Sequence, residues 1–472
     1  MGATTRGPLS PLVGWAILTV ALLATVGGMG APTLPVAGAF AWGLVPWLYP
    51  TLDRRQKRYV VLLFGLGVAL GGVAEAAGLT VAWTKVLTQN TLLVAMLAAV
   101  TFLQLVAPAS GASSGDKTQR PAPWRRLAQA ATAVHLIGAV INLSMVVITA
   151  EQWLRRGFSS LPEAMARAVA RGFLAAALWS PFFAAMAVAL TYAPGASLLA
   201  IAQYGVPLAV LLLLWSVVEL VQYTPEAELA LLPDYPWTFR QLILPVAMLV
   251  VVLGLHQLWP EWSMIAVINT AALLLPLVGL LGRFSFRETA RLFSHHVAER
   301  LPLMRGEFLL FLSAGFFAVG LEAWVPKFGS WLPFSAFTGW AAAATLAAMV
   351  LLAALGVHAV VTITLVSAWF APLNPDPVLL AMIFLGTWAI GLAVNPLAGV
   401  HLLLEARFGL SALRLARGNW RYALGGYLLV VMTLLMRDAL LSHQRESQVA
   451  TASTAAEVQG SMTTASGQRA AN

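Results

Sequence analysis

The sequence predicts an all-α, polytopic transmembrane protein of about 10–12 membrane segments, built as two repeated halves that each carry a Pro-broken segment. Three observations lead there. Of 472 residues, 60% are hydrophobic and 10% charged, against roughly 25% charged in soluble proteins. Apolar runs of about 20 residues, enough to cross a ~30 Å hydrocarbon core as helix, recur from end to end. Finally, a set of landmarks in the first half returns in the same order in the second.

The net charge of +9 fits basic loops beside anionic lipid headgroups. No basic stretch is interleaved with aromatics, so nucleic acid is not an expected partner; membrane lipids are. The chain has no cysteine, which excludes disulfides and thiolate chemistry. His295-His296 lacks zinc-protease spacing, and there is no phosphate loop, nucleophile elbow or carboxylate cluster. The expectation is therefore no enzyme, no metal site and no cofactor beyond a coupling Na⁺ or H⁺.

Segments near 11–28 and 32–50 read as the first membrane crossings and end at "DRRQKR" (Asp53–Arg58), which completes an N-terminal unit, 1–58. Segments near 59–83 and 91–108 follow, then a polar Gly/Ser/Pro loop with a basic end, then an apolar stretch at 127–150. In "SSLPEAMARAVARG", Ser160 and Glu163 match a capping box and Pro162 a helix start. With Arg167 and Arg171 on one side, this reads as a helix lying on the membrane surface. Segments near 171–194 and 196–222 complete a first repeat, 59–237. The stretch 238–305 holds connecting segments and a basic amphipathic stretch with Phe286, Phe293 and Val297 on its apolar side. The second repeat, 306–441, has segments near 306–326, 334–356, 357–371, 378–400 and 420–438. The tail, 442–472, lacks apolar periodicity and is expected to be disordered.

Self-similarity matters because many transporters are repeated halves. "LLFGLGVALGGVAE" (Leu62–Glu75) pairs with "LLFLSAGFFAVGLE" (Leu309–Glu322), "HLIGAVINLS" from His135 with "HAVVTITLVS" from His358, and Ser180-Pro181 with Asn395-Pro396. A proline inside a membrane helix removes one donor and frees a carbonyl one turn back. Such groups survive only where protein or a water-filled cavity receives them, and there they can meet an anion or a stripped cation. Asn142, Ser144, Thr362 and Thr364 are short polar groups suited to a ligand, or to interhelical hydrogen bonds. Glu75, Glu322, His135 and His358 are candidates for carrying a coupling proton. His401 and Glu405, four residues apart, read as an interfacial pair.

Repeated halves, each with a polar apolar stretch followed by a Ser-Pro or Asn-Pro break, resemble the ion transporter superfamily. That group includes divalent anion/sodium symporters, citrate–metal symporters and arsenite permeases. The resemblance covers about residues 59–438. It implies a re-entrant hairpin and a broken helix in each half, hairpin tips near Gly138–Ser144 and Val361–Thr364, and helix breaks at Ser180-Pro181 and Asn395-Pro396. It also implies a homodimer and an elevator-like motion of the hairpin-bearing unit. The sequence departs from the family: the Ser-Asn-Thr hairpin signature is absent, and Phe182 and Leu397 follow the prolines where small residues are usual. A partly apolar solute is therefore as compatible as a dicarboxylate. The family's halves are inverted, whereas the basic stretches before 59–83 and 306–326 put both starts on one side. The function expected is a secondary active transporter of a small solute, an anion by preference, in the inner membrane. The solute would bind near Asn142, Ser144, Ser180, Pro181, Thr362, Thr364, Asn395 and Pro396. The alternative is a non-transporting membrane scaffold or sensor.

Overall fold

The computed structural model describes residues 10–106, 121–155, 160–234, 243–329 and 331–469. The polar loop expected after residue 108 lies, as far as Arg120, outside them. Every secondary-structure element among the described residues is helical. That is one of the two solutions open to a backbone in lipid, where N–H and C=O must pair within the segment. Among the described residues eight helical stretches are long and apolar enough to cross a bilayer, and the chain is a multi-pass membrane protein.

Helices α1 (Ser10–Gly28) and α2 (Leu34–Gly43) precede α3 (Arg54–Ala76). The α3 start is fixed by Asp53, whose Oδ1 accepts from the Arg55 and Gln56 amides while Gln56 reaches back to the Asp53 amide. After α4 (Thr91–Thr101) come α5 (Pro123–Ile141) and α6 (Ser144–Arg155), then α7 (Glu163–Ala175) and α8 (Ala184–Tyr192), separated by the Ser180-Pro181 break. Helix α9 (Leu198–Tyr223) returns, capped by Ser197. Next are α10 (Ile243–Leu258), α11 (Met264–Leu281), the amphipathic α12 (Phe286–Glu299) and α13 (Arg305–Glu322). Then follow α14 (Gly339–Ala354), α15 (Ala359–Phe370) and α16 (Pro377–Gly386). A π-turn (Thr387–Gly391) carries α16 on to Val394. Beyond the Asn395-Pro396 break lie α17 (Gly399–Phe408), α18 (Ala412–Gly418) and α19 (Trp420–Arg469).

Side-chain ties give each helix a direction. Arg126 donates to carbonyls of Leu229 and Leu232, and the Ala164 amide donates to Glu228, so α5 and α7 both start beside the end of α9. They finish together, where Asn142 and Ser180 reach across between them. Helix α6, at 12 residues, spans only about 18 Å and turns back, so α5–α6 is a re-entrant hairpin tipped at Asn142–Leu143. In the second half Gly339 packs on Leu434 and Asp438, and Asp376 pairs with Arg437 at 2.9 Å. Helices α14 and α16 therefore start together about 25 Å along α19 from α18. They meet again where Asn395 reaches Val357. Arms of 16 and 12 residues make α14–α15 the second hairpin.

The faces can now be named by charge. Arg54–Arg58, Arg126, Arg167, Arg300, Arg305 and Arg407–Arg421 lie at the end where the first hairpin enters; Lys85, Glu322, Asp376 and Arg437 lie at the other. The second hairpin enters from that other face, so the two halves are inverted. The inversion corrects the repeat drawn from sequence. Gln56 packs on Gly306 at one end of α3 and α13, and Trp324 donates to Leu70 O at 3.0 Å toward the other. Those two helices are parallel, so Leu62–Glu75 and Leu309–Glu322 are not inverted mates. Helix α4 runs antiparallel to α13, with Asn90 bonded to Phe311 O and Thr101 to His296. Helix α11 begins at the Gly28 carbonyl and ends against Val106.

Further expectations are corrected. The second tip is Leu355–His358, not Val361–Thr364, which lie inside α15; Gly356, at φ +94°, makes the turn. Gly356→Ala is expected to cost about 1–3 kcal/mol from backbone strain alone, read by thermal unfolding in detergent. Helix α7 does not lie on the membrane surface: Ala164 to Ala175 are buried except the half-buried Arg167, and Glu228, not Ser160, caps its start. The tail is helical to Arg469. Prolonging an existing helix needs no new nucleus, and alanine favours it.

Candidate functional site

Both helix breaks are cross-braced to the hairpin tips. Asn142, at the first tip, donates from Nδ2 to Phe182 O at 3.0 Å. Ser180 Oγ donates to Ala139 O of α5 and accepts from the Phe182 amide. In the second half the asparagine sits in the break instead: Asn395 Nδ2 donates to Val357 O at 3.1 Å, and its Oδ1 accepts from the Leu397 amide at 2.8 Å. Carbonyls left over by the break are collected by His401 Nδ1, 2.9 Å from Asn395 O, and by Asn419 Nδ2, 2.8 Å from Ala393 O. Each break is thus satisfied by protein, as lipid requires.

The two tips and two breaks line one cavity of about 380 Å³, formed against α4 and the start of α13. Asn142 and Leu143 come from the first tip, Phe182 and Phe183 from the first break, His358 from the second tip, and Ala398 to Val400 from the second break. Across from them stand Met96, Thr101, Gln104 and Phe311, with Arg300 and Glu307 toward the basic face. The walls are mostly apolar. His358 Nδ1 accepts from the Val360 amide at 3.2 Å, so a neutral ring carries its hydrogen on Nε2, as a donor.

The other candidates fall elsewhere. Ser180 is buried and engaged as above, and Pro181 is buried within the break. Pro396 lies beside Asn395, at the break but not among the cavity walls. Thr362 and Thr364 bond to carbonyls of their own helix, Ala359 and Val360. Ser144 starts α6, and its side chain lies outside the described residues. His135 is saturated, donating from Nδ1 to Gly172 O and accepting from the Trp179 indole at Nε2, 3.0 Å in each case. Glu75 accepts from Trp83 at 2.7 Å, and Glu322 pairs with Lys85 at 2.8 Å. Both carboxylates sit at the face away from the basic one, where a glutamate late in an apolar segment reaches the interface, and neither lines the cavity. Gln104, Arg300 and Glu307 went unnoticed in sequence because each stands at a helix end, in segments with no motif.

Toward the face opposite the basic one, Phe311 of the cavity wall is tied into a largely buried network. Asn90 donates to Phe311 O (2.9 Å), Tyr192 OH donates to Asn90 Oδ1 (3.1 Å), and Ser367 Oγ donates to Tyr192 O (2.6 Å). Behind the second break lies a buried ion pair, Arg171 Nη1 to Glu219 at 2.7 Å, with side chains 0% and 1% exposed. Arg171 Nε also donates to Asn419 Oδ1, and its guanidinium lies 4.6 Å from the Tyr422 ring centre. His401 is fully buried and Glu405 accepts from the Ala412 amide, so the expected His401–Glu405 pair does not form. Among the described residues no group of three or more His, Asp and Glu side chains is placed to hold a metal. No family model matches this sequence, and no curated protein is significantly similar to it.

Proposed function

We propose that the protein is a secondary active transporter of a small anionic solute in the inner membrane, coupled to Na⁺ or H⁺. One observation carries the reading: two inverted hairpin tips and two helix breaks line a single cavity. Intramembrane breaks place backbone dipoles where a solute can use them. The donors facing the cavity, Asn142 and the His358 ring, suit an acceptor-rich ligand, and Arg300 at the basic face favours negative charge. The aromatic walls, with Phe173, Phe182, Phe183, Phe311 and Trp388, favour an anion with an apolar body over a bare dicarboxylate.

By the positive-inside bias, the basic face is cytoplasmic, and the cavity extends toward it. The hairpins, broken helices, α9 and α19 would move as one body against α3, α4, α11 and α13. That is the elevator motion of the ion transporter superfamily, in a homodimer. The test is thermal unfolding of the purified protein with benzoate, succinate, citrate and inorganic phosphate, each with and without Na⁺ and across pH. A binder at 100 times its Kd stabilises by about 2.7 kcal/mol, and benzoate is expected to act most strongly. Arg300→Gln is expected to weaken that effect about tenfold in affinity, the scale of a 1.4 kcal/mol charge contact, and Asn395→Ala to abolish it. If none of these anions stabilises the protein, the transporter reading fails and the scaffold reading takes its place.

A further inference from the structure

A charged cluster deep in the helical core serves no purpose in the cavity just described. Arg171 and Glu219 form a fully buried ion pair in a membrane protein, a costly arrangement unless it has a function. Three polar atoms around it have no partner: Arg171 Nη2, Tyr422 OH and His401 Nε2. The residues that hold the cluster also hold the second break. Asn419 accepts from Arg171 and donates to Ala393 O; His401 bonds to Asn395 O. One side of the 393–401 segment is therefore tied to the ion pair through Asn419, while Ala398 to Val400 face the cavity.

The tautomer of His401 follows from its partner. Asn395 O is a carbonyl and only accepts, so Nδ1 must carry the hydrogen. In the neutral ring, Nε2 is then a lone pair, buried and unpartnered. It is the one free base in the cluster. The groups around it are Arg171 from α7, which is in turn faced by Glu219 from α9, Arg167 from its own helix and Tyr422 from α19.

We propose that this cluster is the coupling site of the transporter, taking one proton from water at His401 Nε2 when an anion binds before the Asn395-Pro396 break. The inference rests on the transporter reading above and names its coupling ion. The bond formed is Nε2–H, and the proton returns to water when the anion leaves. Its logic is charge balance. The Arg171–Glu219 pair is neutral as it stands, so a further proton leaves a net positive charge in a low-dielectric interior, which is strongly unfavourable alone. An anion across the break offsets that charge, and the converse holds for the anion. Each ligand raises the affinity of the other by the same factor, as linkage requires. Asn395, bonded to His401 through its carbonyl and to Val357 through its amide, ties the protonated ring to the second hairpin tip.

The test uses the full-length purified protein and benzoate. Binding heats are measured at one pH in two buffers of different ionisation enthalpy, which counts protons taken up. The expected result is about one proton per benzoate near pH 7, with affinity falling about tenfold per pH unit on the alkaline side. His401→Gln, whose amide can still donate to Asn395 O, is expected to bind about a hundredfold more weakly at pH 6 and with no pH dependence. Benzoate binding without proton uptake by the unmodified protein overturns the inference while leaving the transporter reading intact. So does a His401→Gln variant that keeps the parent's pH dependence. If benzoate does not bind the unmodified protein and no other anion of the panel does, the transporter reading falls and this inference with it.

Discussion

Arg171→Met alone is expected to destabilise the protein by about 3–5 kcal/mol, because it leaves the Glu219 carboxylate buried and unpaired. The double variant Arg171→Met with Glu219→Met is expected to recover most of that loss or to exceed the parent. Two well-packed apolar side chains often equal or outdo a buried ion pair. The origin is the complete burial of both partners, at 0% and 1% exposure. Thermal unfolding in detergent on the parent, both single variants and the double variant gives the cycle directly. Near-additive losses would mean that the two side chains act separately, against the 2.7 Å contact. The same double variant, if folded, shows what the pair does besides stabilise, since His401 and the break remain.

The second large effect is expected at Asn142. Its φ of +54° and ψ of −144° fall in a region that is nearly glycine's alone, and a non-glycine residue there costs about 1–3 kcal/mol. Asparagine is held in that conformation by its bond to Phe182 O. Asn142→Ala keeps the strain and removes the bond, so it is expected to lose about 1–3 kcal/mol, the cost of leaving one buried acceptor unpaired. Asn142→Gly removes the bond but relieves the strain, and is expected to lose much less. Unfolding midpoints rank the two; an alanine variant as stable as the glycine variant would show that the tip is not anchored through this side chain. Strain concentrated at the meeting point of a hairpin and a broken helix is the pattern of a site where geometry is imposed for use.

Much of the architecture was legible in the sequence. Composition and run length gave a polytopic helical protein because lipid permits so little else. The Ser-Pro and Asn-Pro pairs marked both breaks because proline leaves a defect that must be housed. Asn142 and Asn395 stood out as polar residues in apolar runs, and they are the braces. The repeat drawn from sequence paired α3 with α13, which share an apolar run and a late glutamate, yet the two lie parallel and side by side rather than inverted. Arg171 was misplaced too. On a helix of small residues an arginine resembles a solvent-facing side chain, and the partner that buries it, Glu219, lies 48 positions away. The second hairpin tip was sought at its threonines, which bond within their own helix, while the turn itself depends on Gly356. Arg300 and Glu307 became neighbours of the cavity only through tertiary packing.

The network of Asn90, Tyr192 and Ser367 has a kinetic consequence. Asn90 and Phe311 belong to helices on one side of the cavity, while Tyr192 and Ser367 sit on the elements that would slide past them. A relative shift of one helical turn, about 5.4 Å, exceeds the reach of any hydrogen bond, so the Tyr192–Asn90 link must sever rather than stretch. In the proposed transport cycle, escape from the inward-open form would thus be a thresholded event, and exchange between conformers is expected to quicken when Tyr192 loses its hydroxyl.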